Sequence, residues 1–324
     1  MKIIINTYQA AFITPGGGEI QLLKTYENLR NLGANVSLYD QWQPNLDDCD
    51  LVHYFSVFGG SLYFCQLVKS KDKKLAISPI IWLDDMRKYP IGEMKAMLDL
   101  ADLILPNSQM EADMLAQKLD LPTKKFRVVH NAVDSNAFDN IDETLFEKTY
   151  GYKNYVLCVA NIEPRKNQLS LIRALNATGI DVVFIGHIRD KEYYNECQNA
   201  ANENIHFLSP LPHNSPMLLS AYAGAKVFAL PSILETPGLV ALEAAAAGCK
   251  RLVVTGGGST KEYFENWAQY IEDPMCEKEI QQKIMDSYNG NQLYNELKLR
   301  AYVLGNYTWE NAAKETQQAY LSIS

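Results

Sequence analysis

The residues from Lys226 to Gly248 read KVFALPSILETPGLVALEAAAAG, and this stretch predicts a strand, a loop and a helix in direct succession. Its first five residues, Lys226 to Leu230, form a short apolar run that is typical of a buried strand. A turn begins at Pro231, and the alanine-rich run that follows ends at Gly248, a residue type common at helix ends. A strand that leads into a helix is one half of a βαβ unit, from which parallel sheets are built.

The same succession recurs along the chain in two series. The first series of predicted strands comprises Lys2 to Asn6, Asn35 to Tyr39, Leu51 to Phe55, Leu75 to Ser78, Leu103 to Leu105 and Phe126 to His130. The second comprises Tyr155 to Ala160, Asp181 to Ile185, Ile205 to Leu208, Lys226 to Leu230 and Arg251 to Val254. Helical patterns such as Glu19 to Leu32 and Gln109 to Leu119 separate these runs. The sequence therefore predicts an α/β fold with two doubly wound parallel sheets.

The chain length predicts two domains, because 324 residues exceed the size at which one hydrophobic core usually stops growing. The polar segment from Asn131 to Asn154 is the best candidate for a linker. We therefore expect one domain over residues 1–150 and a second over 151–307. A last helix, Trp309 to Leu321, is predicted to begin after Thr308, a plausible N-cap.

Composition excludes several classes of protein. Apolar residues make up 47% of the chain and charged residues 21%, which is typical of a folded globular protein. A formal net charge of -8 makes nucleic acid an unlikely partner. The six cysteines form no CxxC pair, and neither a signal peptide nor an apolar run long enough to span a membrane is present. These features predict a cytoplasmic protein.

The loops after the strands are the expected functional region, because open α/β sheets bind ligands outside the carboxyl ends of their strands. Glu235 and Glu243 are eight positions apart, slightly more than two helical turns, so both carboxylates can face one ligand. Carboxylates accept hydrogen bonds from vicinal diols, and N–H groups at a helix start suit a diphosphate. The parts fit a nucleotide sugar bound in a cleft between the domains. A buried helix with two satisfied glutamates is the alternative.

Two further loops have features that suit phosphate binding. The run from Thr14 to Glu19 contains Gly16 and Gly17 just before a helix, so a phosphate or a sugar hydroxyl could approach the bare backbone. A tight turn that merely needs glycine is the alternative. Lys166, after the first strand of the second series, could reach a phosphate as a fixed charge, although most loop lysines are simply solvated.

Candidates on the acceptor side and for metal binding are weaker. His53 follows a strand pattern and is a candidate to point at an acceptor, with a packed histidine as the alternative. Asp84, after the fourth predicted strand, is the other acceptor-side candidate. The acidic residues occur in adjacent pairs, which a nucleotide-bound Mg²⁺ would not favour, so no metal site is predicted. The lysine run from Lys69 to Lys74 could contact an anionic membrane, with a solvated loop as the alternative.

Taken together, these motifs resemble the retaining GT-B glycosyltransferases of glycosyltransferase family 4. The resemblance depends on Glu235-x7-Glu243 within PSILETPGLVALEAAAAG and on Gly16-Gly17-Gly18-Glu19. It extends to the segment from Val129 to Phe138, to IEPRKNQLSLIRAL at residues 162–175, and to Tyr307-Thr308-Trp309-Glu310. It implies a GT-B fold, that is, two Rossmann-like domains facing a cleft, with the segment 308–324 joined to the first domain.

The resemblance also implies a role for each candidate. Glu243 would bind the ribose hydroxyls and Glu235 the donor sugar, while Lys166 would neutralise the leaving phosphate. Gly16 and Gly17 would lie under the diphosphate and beside the acceptor. The backbone of Thr236, Pro237, Gly238, Leu239 and Val240 would contact the sugar and the diphosphate. The family's phosphate-binding arginine corresponds to Asn161 here, where Arg165 is a substitute, and the family's frequent histidine after the fourth strand has no counterpart.

The implied activity is transfer of a hexose from a UDP- or GDP-linked donor to a glycan or lipid-linked acceptor, with retained configuration and without a metal or other cofactor. The expected setting is synthesis of cell-surface polysaccharide, in the cytoplasm or at the inner face of the cell membrane. Asn161 and the missing histidine leave a sugar-nucleotide binding subunit without turnover as an alternative. An epimerase or a phosphorylase on the same paired domains is another, because fold alone does not separate these activities.

Overall fold

The computed structural model of the chain describes residues 1–13, 15–58, 60–290 and 296–323, with side chains except at 296 and 297. Thr14, in the predicted glycine loop, and Ser324, in the predicted segment 308–324, lie outside the described residues. The chain divides into two compact units: unit 1 is Met1–Ala132 with Tyr307–Ser324, and unit 2 is Val133–Asn306. The boundary after Ala132 differs from the expected boundary after residue 150.

Unit 1 contains a parallel sheet with helices after its strands. Its elements are β1 (Lys2–Thr7), α1 (Gly17–Asn31), β2 (Asn35–Leu38), β3 (Leu51–Phe55), α2 (Leu62–Ser70), β4 (Lys74–Ser78), α3 (Ile91–Leu100), β5 (Leu103–Ile104) and α4 (Gln109–Leu119). Within the described ranges, the strand order is β2-β1-β3-β4-β5. All pairs are parallel.

Unit 2 repeats this architecture with a larger sheet. Its elements are α5 (Leu145–Tyr150), β6 (Val156–Val159), α6 (Gln168–Leu175), β7 (Val182–Ile185), α7 (Lys191–Ala200), β8 (Ile205–Leu208), α8 (Pro216–Gly224), β9 (Val227–Leu230), α9 (Leu239–Ala247), β10 (Leu252–Thr255), α10 (Thr260–Phe264), β11 (Gln269–Ile271), α11 (Glu277–Tyr288) and α12 (Glu296–Asn306). The described strands pair in parallel in the order β11-β10-β9-β6-β7-β8.

The segment that precedes β6 packs on unit 2, which accounts for the earlier boundary. The backbone N–H of Phe146 in α5 donates to Ser220 Oγ in α8 over 2.9 Å. The Phe146 ring is fully buried, and its centroid lies 5.3 Å from that of Tyr155. A polar stretch that looked like a linker therefore contributes an anchored helix.

Two predicted details of the sheets are wrong. Phe126 to His130 was expected as a strand, but it forms an isolated bridge between Phe126 and Ile104 beside the two-residue β5. The prediction also omitted β11, which pairs with β10 at the edge of the second sheet. Both are short edge segments, where few apolar residues are buried and the sequence signal is weak.

Helix α9 is buried over most of its length: Leu239 and Val240 are half-buried, and the residues from Ala241 to Ala247 are at most 8% exposed. A helix that is apolar all round belongs in an interior. The helix ends at Gly248, whose φ is +108°, as predicted for a glycine cap. This buried helix gives Glu243 a rigid support.

The last helix, α13 (Trp309–Leu321), belongs to unit 1 although it follows unit 2 in the chain. Thr308 is its N-cap, and the Thr308 Oγ1 accepts a hydrogen bond from Asn311 N over 3.4 Å. The buried residues of α13 include Trp309 and Tyr320. Unit 1 is therefore completed by the C-terminal part of the chain.

Candidate active site

The loop between β9 and α9 lies where the strand order of the second sheet reverses. From β6 the chain passes outward through β7 to β8, and β9 is then placed on the opposite side of β6. At such a switch point the loops after two neighbouring strands lead away from each other and leave a crevice that can hold a ligand. These two loops carry Lys166 and Glu235. The structure therefore brings the two predicted residues to the same edge of the sheet.

Lys166 and Glu235 form a buried ion pair, in which Nζ lies 2.5 Å from Oε1. Their side chains are 12% and 6% exposed. Ser232 Oγ donates a second hydrogen bond to the same carboxylate oxygen, over 2.5 Å. Burial opposes ionisation of Glu235, but the attraction of Lys166 and Arg165, with the two hydrogen bonds, outweighs it and holds the pKa of Glu235 below its ordinary value. The carboxylate is therefore ionised at neutral pH.

The two loops are fixed to each other by backbone and side-chain hydrogen bonds. Ile233 N donates to Arg165 O over 2.9 Å. Asn167, which has φ +57°, donates from Nδ2 to Pro231 O at 3.0 Å and to Pro274 O at 2.6 Å. These contacts set the position of Lys166 relative to Glu235 through the backbone as well as through the ion pair.

Arg165 lies at the rim of this arrangement. Its side chain is 51% exposed, and its guanidinium lies 3.3 Å from Leu234 O and 3.3 Å from the Glu163 carboxylate. The same carboxylate lies 3.3 Å from Arg189 in the loop after β7. Arg165 is therefore close to the Glu235 loop, with a positive charge that Glu163 partly offsets.

The glycine-rich loop after β10 holds Glu235 from the other side, a feature that the sequence analysis missed. Glu235 N donates to Gly257 O at 3.2 Å, and Ser259 N donates to Glu235 O at 3.0 Å. A Cβ on Gly258 would lie 2.0 Å from Glu235 O, and the φ of Gly258 is +89°. Only glycine fits there. The three consecutive glycines, Gly256 to Gly258, were the available signal.

The segment from Thr236 to Val240 turns the chain from this loop into α9. The Thr236–Pro237 peptide bond is cis, and Gly238 has φ +83°. The positive φ of Gly238 would strain any other residue, and a Cβ there would lie 2.9 Å from Leu230 Cδ2, so the leucine side chain would also have to move. Leu239 and Val240 begin the helix. The first N–H groups of a helix have no acceptor within it, so this end presents donors and a partial positive charge.

Glu243 is the fifth residue of α9 and is 8% exposed. His213 Nε2 lies 3.0 Å from its Oε1, and Tyr222 OH donates to its Oε2 over 3.0 Å. Burial and the Glu243 carboxylate raise the pKa of Tyr222 well above its usual value, so this hydroxyl keeps its proton. Neither His213 nor Tyr222 was singled out from the sequence, since both lie more than twenty residues from Glu243.

Asn161, where the family pattern has an arginine, ends the run that follows β6. Its backbone carbonyl accepts a hydrogen bond from Gln168 Nε2 over 2.8 Å. Gln168 is fully buried, and within the described part of the chain its Oε1 has no hydrogen-bond partner. The Asn161 side chain is neutral and half-buried, so it supplies no positive charge.

Gly16 and Gly17 lie in unit 1, at the start of α1 and after the carboxyl end of β1. Gly16 N donates to the Glu19 carboxylate over 2.7 Å, so Glu19 caps the helix. Tyr8 OH lies 3.4 Å from the other oxygen of that carboxylate. The structure places both glycines at a helix N-terminus, as predicted.

His53 is in the interior of unit 1 and is 2% exposed. Its Nδ1 lies 2.6 Å from Tyr320 OH in α13, and its Nε2 lies 2.9 Å from Ser78 Oγ in β4. Burial lowers the pKa of His53 to about 3, so the ring is neutral at pH 7. These contacts favour the packed histidine over a side chain that is open to an acceptor.

Asp84 and the lysine run are at the surface and are engaged with neighbours. Hydrogen bonds from Lys88 and Tyr89 to Asp84 hold the pKa of this carboxyl below its usual range. Lys69 pairs with Asp102 and Lys71 with Asp47, each over 2.6 Å. These ion pairs reduce the charge that the run offers to a membrane.

Two wider features concern metals and membranes. No group of three or more His, Cys, Asp and Glu side chains in the described ranges is arranged to hold a metal ion. No helix formed by those residues combines the length and apolar character needed to cross a bilayer.

Comparison with known proteins places this geometry in a family context. The family described as "Glycosyl transferases group 1" matches residues 142–303, which is half of the chain and contains Lys166, Glu235 and Glu243. D-inositol 3-phosphate glycosyltransferase of Mycobacteroides abscessus is 28% identical over 179 residues, covering 52% of this chain and 40% of that protein.

A second relative, from Campylobacter jejuni, is N-acetylgalactosamine-N,N'-diacetylbacillosaminyl-diphospho-undecaprenol 4-alpha-N-acetylgalactosaminyltransferase. It is 27% identical over 174 residues, covering 51% of this chain and 44% of that protein. The chain therefore spans less than half the length of both curated relatives.

Among solved structures, Anabaena HepE in complex with UDP and glucose superposes with a TM-score of 0.80 at 16% identity, covering 99% of this chain and all of that one. A likeness at this identity concerns the fold. It confirms the prediction of a GT-B fold with two parallel-sheet α/β domains.

Proposed function

This chain belongs to the glycosyl transferases of group 1, and on that premise we propose that it transfers a hexose from a UDP- or GDP-linked donor to a hydroxyl group of a glycan or glycolipid. We propose in addition that the configuration at the anomeric carbon is retained and that no metal ion takes part. The donor base, the acceptor and the stereochemistry are parts of this proposal. The two curated relatives have different acceptors in their names, so neither name is carried over.

The observation that best supports the proposal is the buried Lys166–Glu235 pair at the switch point of the second sheet. A lysine in this position is a fixed positive charge, which stabilises a departing diphosphate without a metal ion. Glu235 offers carboxylate oxygens to the hydroxyl groups of the sugar. The N-terminus of α9 follows directly and supplies backbone N–H groups for the diphosphate or the sugar.

The proposed roles follow from these positions. Lys166, with Arg165 at the rim, neutralises the charge that develops on the leaving phosphate, and Glu235 orients the donor sugar. Glu243 accepts hydrogen bonds from the ribose hydroxyls. The acceptor hydroxyl attacks the face that the diphosphate leaves, so the leaving phosphate oxygen takes its proton. Electrostatic stabilisation of that oxygen is then the main contribution to the rate.

Unit 1 is proposed to hold the acceptor, with Gly16 and Gly17 beside the reacting groups. Of the two acceptor-side candidates, His53 is buried and Asp84 is exposed. We propose action on a cell-surface polysaccharide precursor in the cytoplasm or at the inner face of the membrane.

A second candidate function is sugar-nucleotide binding without turnover. The observation that favours it is Asn161, which leaves Lys166 without a second strong cation at that position. Turnover separates the two functions: release of UDP or GDP from a labelled donor only when an acceptor is added indicates a transferase. Binding of the donor without release under any acceptor indicates a binding subunit.

The test compares the purified chain with Lys166→Ala, using a panel of UDP- and GDP-sugars and glycan or lipid-linked acceptors. We expect Lys166→Ala to lower kcat by about 10² to 10³, the usual effect of losing one such electrostatic contact. Lys278→Ala, in the exposed part of α11, is the control and should keep full activity. If no donor is bound or cleaved by the unaltered chain, the proposed function is wrong.

A further inference from the structure

Helix α8 and the loop before it hold Glu243 from two sides. His213 lies in the loop and reaches Oε1, while Tyr222, two turns into the helix, reaches Oε2. Each distance is 3.0 Å. Because a carboxylate oxygen accepts hydrogen bonds, His213 Nε2 carries the hydrogen of this contact. Among the residues that the structure describes, each oxygen of Glu243 therefore has one protein donor.

The hydrogen-bond acceptor sites that remain on the Glu243 carboxylate match a pair of adjacent hydroxyl groups. A carboxylate has about four lone-pair sites, two on each oxygen. His213 and Tyr222 use one site on each oxygen, which leaves one on each for a ligand. Two adjacent hydroxyl groups, such as the 2′ and 3′ hydroxyls of ribose, can donate to both oxygens at once. A 2′-deoxyribose can donate to only one of them.

The two donors differ in how they are held. Tyr222 is 1% exposed, and its ring lies edge-on to Phe228 with the centroids 5.9 Å apart, so it belongs to the core of unit 2. The His213 side chain is 42% exposed. A substitution at His213 therefore removes the contact to Oε1 without opening the core.

The backbone around His213 is well fixed. Ser215 N donates to Pro212 O over 3.0 Å, and Asn214 has φ +56°. Ser215 then caps α8 by accepting a hydrogen bond from Leu218 N, and Pro216 is the first residue of the helix. The imidazole is thus presented to Glu243 from a rigid turn rather than from a loose loop.

We propose that His213 is a positioning residue: it sets the rotation of the Glu243 carboxylate so that both oxygens face a vicinal diol, and it thereby makes the donor site selective for ribonucleoside over 2′-deoxyribonucleoside diphosphates. The inference rests on the proposed function, because it assumes that a nucleoside diphosphate occupies the site. It adds a residue and a selectivity that follow from the His213 and Tyr222 contacts in this chain.

The test measures binding of UDP, GDP and their 2′-deoxy forms by calorimetry, for the unaltered chain, His213→Ala and His213→Gln. For the unaltered chain we expect the ribose form to bind about tenfold more tightly than the deoxy form, since one hydrogen bond to a charged group is lost. His213→Ala should lower this preference about fivefold, mainly through weaker binding of the ribose form. His213→Gln, whose amide can donate from a similar position, should restore most of it.

A control and a kinetic measurement separate positioning from a merely structural role. His206→Ala removes a histidine that lies on β8, 2.8 Å from Asp181, and should leave the preference unchanged. In turnover, His213→Ala should raise KM for the donor with little change in kcat, because the contact acts equally on bound substrate and transition state.

Two results would overturn the inference, and they differ from each other. If the unaltered chain binds neither UDP nor GDP, the proposed function fails and this inference fails with it. If the chain binds one of them but His213→Ala keeps the same ratio of ribose to deoxy affinity, the proposed function stands and the role of His213 is wrong.

Discussion

Lys166 and Glu235 illustrate how two side chains depend on each other for their charge. Glu235 is buried, and burial by itself would raise its pKa, yet the ion pair with Lys166 and the charge of Arg165 reverse the direction. If one partner is removed, the other is left as an uncompensated buried charge, which is strongly destabilising. The pair therefore couples the proposed chemistry to the stability of unit 2.

We predict that Lys166→Met lowers the free energy of unfolding by about 3 kcal/mol at pH 7, near the low end for a broken buried pair, because Glu235 can respond by taking up a proton. The pKa of Glu235 in the unaltered chain is lowered, so the stability it contributes is present above its ordinary pKa of 4.5 and is lost as the pH falls through the lowered value. Without Lys166, burial raises the pKa of Glu235, so the difference in unfolding free energy between the two proteins should narrow as the pH falls from that raised pKa down through the lowered pKa of the unaltered chain. Urea unfolding at several pH values measures it.

The double variant Lys166→Met with Glu235→Gln is the control for that measurement. It removes both charges, so it should recover part of the stability that the single variant loses, and its difference from the unaltered chain should vary less with pH. If the difference in unfolding free energy between Lys166→Met and the unaltered chain stays constant from pH 7 to pH 3, the pair does not act through the charge of Glu235.

At the scale of elements, the proposed donor site depends on the loop after β10 as well as on the loops that carry charged side chains. The backbone of Glu235 is held by two hydrogen bonds to residues 257 and 259, and this contact is possible because Gly258 has no side chain. The position of Glu235, a catalytic candidate, thus depends on Gly258, a residue that has no side chain.

We predict that Gly258→Ala destabilises unit 2 by about 2 to 5 kcal/mol, the sum of a left-handed conformation for alanine and a methyl group forced against backbone. Because the clash is with Glu235 O, we also expect binding of the nucleotide sugar to weaken. Gly151→Ala is the matched control: Gly151 has φ +82°, but a Cβ there meets nothing within 4 Å. Unfolding and donor binding of the two variants should differ clearly, and equal effects would mean that conformational strain alone explains the loss.

Much of the strand and helix arrangement could be predicted because buried parallel strands appear in the sequence as short apolar runs. The strands of unit 2 from β6 to β10 are short apolar runs followed by turns, and the carboxyl ends of parallel strands meet at one edge. That rule places Lys166 and Glu235 at the same edge of the sheet, whereas the strand order that puts β9 beside β6 makes them neighbours. In contrast, β11 and the bridge at Phe126 are short edge segments whose pairing is decided by tertiary contacts.

The side chains that support the site could not be predicted for a different reason. His213 reaches Glu243 from a loop in which Asn214 takes a left-handed conformation, and no spacing rule encodes this contact. His53 occupies β3, a strand that is buried on both faces, so alternation of polar and apolar residues gives no information on where its ring points. The local sequence pattern predicts the strands and helices, whereas the conformation of the loops determines which side chains contact each other.

At the scale of the whole molecule, unit 1 is assembled from both ends of the chain. The final helix α13 carries Tyr320 into the interior, where its hydroxyl lies 2.6 Å from His53 on β3. Ser78 on β4 holds the other ring nitrogen. This buried network joins two central strands to a helix that follows unit 2 in sequence, so part of the interior of unit 1 is supplied by residues that come after unit 2.

The network also makes a prediction about acid stability. The pKa of His53 is about 3 in the folded chain, against 6.5 for an ordinary histidine, so the unfolded chain binds the extra proton between these values. Stability from the neutral ring is complete above pH 6.5 and is lost as the pH falls towards 3, by about 1.4 kcal/mol per pH unit. We expect hydrogen exchange of the β3 amides to show this loss. His53→Gln keeps polar atoms but cannot titrate. In this variant the protection of the β3 amides should be lower at pH 7 and should decline less steeply as the pH falls. If protection declines equally in the variant and the unaltered chain, His53 does not stay neutral in the folded chain.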